Sequence, residues 1–83
     1  MEAILEKILE YFPSEKDKAL IKEAAEFARR AHGSQKRDSG EPYICHPMDV
    51  ALTLAEMGLD AATIIAGIFH DVVEDTPITL EEI

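Results

Sequence analysis

An all-α fold is what the sequence predicts, and three observations predict it. Apolar residues recur at helical spacing along most of the chain, Pro and Gly punctuate those stretches next to N-capping side chains, and no run of any length alternates apolar with polar as a half-buried strand does. The punctuation divides the chain into about four to five helices, the content of one small helical bundle.

Ile4, Leu5, Ile8, Leu9 and Phe12 form the first helical stripe, which Pro13 ends. Ser14, with Asp17 three residues on, resembles a capping box in which Asp replaces the usual Glu or Gln. It opens a second helix over about residues 15–32, with Leu20, Ala24, Phe27, Ala28 and Ala31 as the apolar stripe and Gly33 as the stop. Residues 33–45, rich in Gly, Ser, Pro and charge, read as a loop. His46-Pro47 begins a third helix, because Pro suits the first turn, and it continues through Val50, Ala51, Leu54, Ala55 and Met57 to Gly58. Asp60 is the expected N-cap of a fourth helix over about 61–75, apolar nearly all round as far as Phe69 and so expected to be the buried central one. Pro77 stops it, and Thr79 with Glu82 announces a fifth helix that has only begun at Ile83. A natural domain rarely stops at a fresh N-cap, so the chain is expected to be the N-terminal part of one domain whose later helices are missing.

Composition narrows the function. With 83 residues the chain is one small domain at most, and 47% hydrophobic with 30% charged residues is globular composition. No apolar run approaches the roughly 18 residues of a membrane span and no signal segment opens the chain, so a cytoplasmic protein with no membrane partner is the expectation. The single Cys45 cannot form an internal disulfide, which fits a reducing compartment. A net charge of −9 argues against nonspecific DNA or RNA binding. The distribution says more than the sum. All 8 Lys and Arg lie at or before Arg37, with Arg29, Arg30, Lys36 and Arg37 clustered, while residues 38–83 hold acids alone. That is either two solvated faces of different sign or a basic patch for an anionic group beside an acidic patch for a metal ion.

HDVVEDT, residues 70–76, is the sharpest local feature. On a helix His70 sits over Glu74, and Asp71 over Glu74 and Asp75, so one face carries an imidazole and three carboxylates. Like charges at i, i+4 cost roughly 0.2–0.5 kcal/mol per pair, and they crowd a helix C-terminus where the macrodipole favours cations. A bound divalent ion would compensate, and mixed nitrogen and oxygen ligands suit Mn²⁺, Fe²⁺, Zn²⁺ or Mg²⁺. His46, opening another helix, is the candidate third ligand. The plainer reading is a core histidine followed by a solvated acidic helix end. The second feature is the loop RDSGEPYICHP, residues 37–47. In it Arg37 offers a planar fork for phosphate or a face to stack on a base, and Ser39, Tyr43 and the backbone near Gly40 offer further ligand contacts. An ordinary turn-rich surface loop reads the same way.

The two features occur together in a known family. The run AHGSQKRDSGEPYICHPMDVALTLAEMGLD, followed by HDVVEDTPITLEEI, resembles the hydrolase domain of the bifunctional Rel/SpoT alarmone enzymes and the stand-alone small alarmone hydrolases of the HD superfamily, over roughly residues 20–83. The resemblance implies an HD-domain-like helical bundle, here truncated. It implies that His46, His70 and Asp71 are metal ligands, usually for Mn²⁺. Glu74 and Asp75 match the acidic pair that positions or activates the attacking water, and Arg37, with Lys36 and Ser39, matches the segment that contacts the guanine nucleotide. The implied reaction is metal-dependent hydrolysis of the 3′-pyrophosphate of (p)ppGpp to GDP or GTP and pyrophosphate. The family's fourth ligand is an Asp on a helix well past residue 83. The 83 residues alone are therefore expected to bind metal poorly, to be inactive, and to associate with copies of themselves through apolar surface meant for later helices. The intact His-Asp dipeptide matches hydrolase-competent relatives, since some that only synthesise alarmone have lost it. Two other readings stay open: an HD phosphohydrolase acting on another nucleotide, and a non-catalytic regulatory module.

Overall fold

The computed structural model of the chain describes residues 2–33, 40 and 44–75, and gives the backbone alone at 71, 74 and 75. The Thr79 capping signal and the fifth helix it announces lie outside the described residues. Within them the order is α1 (Glu2–Leu9), α2 (Glu15–His32), α3 (Cys45–Glu56) and α4 (Ala61–Asp75), with no strand among the described residues. The principal contacts run α1 to α2 and α3, and α4 to α2 and α3, so α1 and α4 occupy opposite corners of a four-helix arrangement.

Local chemistry sets each boundary. α1 stops at Leu9, earlier than its apolar stripe, because the residue before a proline is pushed out of the helical region. Phe12 still enters the core, and its N–H donates to the Leu9 carbonyl at 3.0 Å in a turn. Ser14 caps α2, its Oγ accepting from the Asp17 N–H at 3.3 Å, as the capping-box pattern predicts. α3 begins one residue before the expected His46, and its N-cap residue Ile44 makes no side-chain cap bond. Pro47 is accommodated in the first turn, where a helix leaves its N–H groups unpaired in any case.

The connection between α3 and α4 is the tightest in the molecule. Gly58 takes φ of 82°, its N–H donates to the Ala55 carbonyl at 3.0 Å, and the Leu59 N–H donates to the Leu54 carbonyl at 3.2 Å. This paired termination needs a left-handed residue, which glycine supplies without strain. Asp60 follows at once as the N-cap of α4, its Oδ1 accepting from the Thr63 N–H at 2.9 Å. This short reversal brings α4 directly back against α3.

The core combines Ile8, Leu9, Phe12, Ile21, Ile44, Met48, Ile64, Ile68 and Val72 with buried Ala24, Ala25, Ala28, Ala51, Ala55 and Ala61. The alanines let the helix backbones approach closely. Two stripes differ from the sequence expectation. In α2 the buried positions are Ile21, Ala24, Ala25, Ala28 and His32, while Leu20 is 42% exposed. The true stripe includes a histidine, so an apolar count alone places it one residue off. In α3 it is Pro47, Met48, Ala51 and Ala55, and Val50 and Met57 lie in solvent. The expectation that α4 is buried all round also needs correction. It packs on both α2 and α3 through Ala61, Ile64, Ile68 and Val72, yet Ala62, Thr63, Ala66 and His70 are exposed. Those positions carry small or polar groups whose exposure costs little.

Gly67 of α4 faces Leu54, whose Cδ1 would stand 3.4 Å from an added Cβ. That is ordinary van der Waals contact, and helix-interior Gly costs about 0.5–1 kcal/mol against Ala. Gly67→Ala should therefore raise stability by about that amount in urea unfolding. Asp60 gives a pH test. Hydrogen bonds from the Thr63 side chain and amide hold its carboxyl below the usual range. The stabilisation is fully present above the unfolded-state pKa and is lost as pH falls through the lower folded one. Asp60→Asn, which still caps, should remove this part of the acid-dependent loss, read as a flatter stability–pH curve below the ordinary Asp pKa.

Candidate metal centre

The α3–α4 reversal packs the helix that carries His46 against the helix that carries His70 and position 71. His46 stands in the first turn of α3, half-buried, and His70 lies five residues before the end of α4, exposed. The exposure follows from helix geometry. Ile68 and Val72, two residues to either side, are fully buried, and positions two apart on a helix point about 200° from each other. α2 meets α4 close by: Phe27, five residues from the end of α2, packs on Phe69, six from the end of α4, ring edge to ring face at 5.8 Å and 78°.

Positions 71, 74 and 75 belong to the last turns of α4, while the side chains of Asp71, Glu74 and Asp75 lie outside the described residues, as do Lys36, Arg37, Ser39 and Tyr43. Among the described residues no three His, Cys, Asp or Glu side chains form a ligand group. His46 and His70 are two of the three expected donors, and the third is Asp71. Two imidazoles and a carboxylate form a nitrogen–oxygen set that fits a divalent ion of intermediate hardness.

The electrostatics around the candidate ligands differ from the sequence expectation. α3 has neither a side-chain cap nor an acid in its first turn, so the partial positive charge of its N-terminus stands uncovered by protein carboxylates of its own helix. The last turn of α4 contains no base. The basic cluster is weaker than its count. Glu26, one turn back on α2, accepts a hydrogen bond from Arg29 Nε at 3.0 Å, and Arg30 Nε stands 3.9 Å from the same carboxylate. The Arg29 hydrogen bond holds the Glu26 carboxyl below its usual range, and the same contact raises Arg29. Arg29 is thus largely committed within its own helix.

Sequence reasoning gave no role to His32, the one buried polar side chain among the described residues, at 4% exposure. The signal was present: with Ile21, Ala25 and Ala28 it continues a helical stripe, and it stands at the end of α2 immediately before the loop.

A small helical bundle whose fourth helix carries a His-Asp step defines a class, the helical domains built round a His-Asp pair. Residues 24–83 match the HD domain model, and the chain belongs to the HD domain family, whose members are metal-dependent. It is 53% identical over all 83 residues to a guanosine-3′,5′-bis(diphosphate) 3′-pyrophosphohydrolase of Aquifex aeolicus, of which it covers 12%. It is 48% identical over 81 residues, 98% of the chain, to the bifunctional (p)ppGpp synthase/hydrolase SpoT of Escherichia coli K12, covering 11% of that protein. With the GTP pyrophosphokinase rsh of Brucella ovis it shares 45% over 80 residues, 96% of the chain and 10% of the relative. The chain therefore spans about a tenth of the length of these relatives. No helix among the described residues is long and apolar enough to cross a membrane.

Gly33 hands α2 over to the segment carrying Lys36, Arg37 and Ser39. Its φ of 56° and ψ of −128° are open to glycine and strained for other residues. Gly33→Ala should cost about 1–3 kcal/mol, read in urea unfolding.

Proposed function

We propose that this chain is the N-terminal part of a metal-dependent phosphohydrolase that removes the 3′-pyrophosphate of guanosine alarmones, giving GDP or GTP and pyrophosphate. In this reading His46, His70 and Asp71 hold a divalent ion, Mn²⁺ for preference. Such an ion, when bound, lowers the pKa of a coordinated water and polarises a phosphoryl oxygen. Glu74 and Asp75, on the last turns of α4, position the attacking water and take up its proton. Arg37, with Lys36 and Ser39, contacts the guanine nucleotide, Arg37 by bidentate hydrogen bonding or by stacking. The protein works in the cytoplasm and needs neither nucleic acid nor membrane.

The observation that carries this reading is that His46, in the first turn of α3, and the His70–Asp71 step of α4 stand on two helices packed against each other, within the residues that match the HD domain model. The relatives' names lend support, and they also set the test. The Aquifex protein is named for alarmone hydrolysis and the Brucella protein for GTP pyrophosphorylation, so hydrolysis must be measured directly. A site closed by a further Asp beyond residue 83 also accounts for the expected inactivity of these 83 residues alone. Exposed Val50, Met57 and Leu59 offer them a surface for self-association, which sedimentation would detect.

In the full-length protein with Mn²⁺, His70→Ala or Asp71→Ala should reduce (p)ppGpp hydrolysis on the order of 100-fold or more. Arg37→Ala should harm guanine nucleotides most in a substrate panel. Unchanged hydrolysis by both metal-ligand variants, or robust Mn²⁺-dependent hydrolysis by the purified 83 residues, would overturn the assignment.

A further inference from the structure

α4 is gripped from two sides, and the two grips differ in kind. On the α2 side Phe69 meets Phe27 edge to face, with ring centroids 5.8 Å apart. On the α3 side Gly67 presents no side chain, and Leu54 packs close to its Cα. The inward stripe Ala61, Ile64, Ile68 and Val72 lies between them. At about 100° per residue, positions 67 and 69 fall on opposite flanks of that stripe. Position 71 comes one turn after Gly67 and so shares the flank turned to α3, the helix that carries His46. A large aromatic on one flank and an absent side chain on the other set how far α4 is rolled about its axis.

Metal ligation is sensitive to that roll. A ligating atom roughly 6 Å from a helix axis moves about 1 Å when the helix turns by about 10°, whereas metal–ligand distances tolerate only about 0.2 Å. The buried stripe is aliphatic and rounded, and fixes the roll poorly. A T-shaped ring pair has a preferred geometry and resists rotation.

We infer that Phe27 and Phe69 are positioning residues for the candidate metal ligands: their contact sets the roll of α4, and so the direction in which positions 70 and 71 project relative to α3. This rests on the metal reading above and adds two residues from outside the ligand set.

The test uses the full-length protein, with Mn²⁺ affinity read by electron paramagnetic resonance and coordination read from the visible bands of the Co²⁺-substituted form. Phe27→Leu keeps an apolar side chain and removes the ring. It should weaken Mn²⁺ binding roughly tenfold and change the Co²⁺ bands, and Phe27→Tyr should restore both. Ile8→Val, a core change in α1, should lower thermal stability and leave both metal readouts as they are. If Phe27→Leu binds like the unaltered protein while His70→Ala does not bind, the positioning role is refuted and the metal site stands. If His70→Ala binds like the unaltered protein, the metal site is refuted and the positioning role falls with it.

Discussion

Between Leu54 and Thr63 the chain ends one helix, reverses and starts the next with no spare residue. The left-handed Gly58 lets the Leu59 amide reach back to the Leu54 carbonyl, and the Asp60 carboxylate takes the Thr63 amide of the following helix. Both are local hydrogen-bonding solutions to the problem of unpaired groups at helix ends. Their consequence is not local. A reversal this short brings α4 straight back against α3. His46 and the His70–Asp71 step, 24 residues apart in the chain, therefore stand on two helices in direct contact.

The remaining helices support that hairpin from behind. α2 packs on α4 through an alanine-rich face, and α1 braces α2 and α3 from the opposite corner. Small side chains on α2 and α3 bring the backbones close, and the few large ones, such as Ile21, Met48, Ile64 and Ile68, fill the centre. In so small a bundle each large residue carries a sizeable share of the buried area, and the burial per residue stays modest. Met57 and Leu59 in the hairpin turn, and Val50 on α3, remain exposed.

Charge is arranged less simply than its distribution along the chain suggests. The cations of α2 look like a reserve for an anionic ligand until Glu26 is seen to take Arg29 and draw Arg30. The neutralising partner is a group that a charge count passes over, a carboxylate three residues away.

Sequence alone determined the helical class, the four described helices to within a few residues, the Ser14 and Asp60 caps, the Gly33 and Gly58 stops, and the residue types suited to a metal and a phosphorylated nucleotide. These are all local matters, decided by periodicity, by one proline or glycine, or by a side chain bonding an amide three residues on. Tertiary structure decided which stripe of each helix turns inward. Ile21 and not Leu20, and Met48 and not Val50, are buried, because the neighbouring helices and not the apolar count choose the face. It also decided that α4 keeps an exposed side carrying His70, and that Phe27 and Phe69 meet. Contacts between residues dozens of positions apart depend on how whole helices lie against each other, and no short window of sequence contains that information.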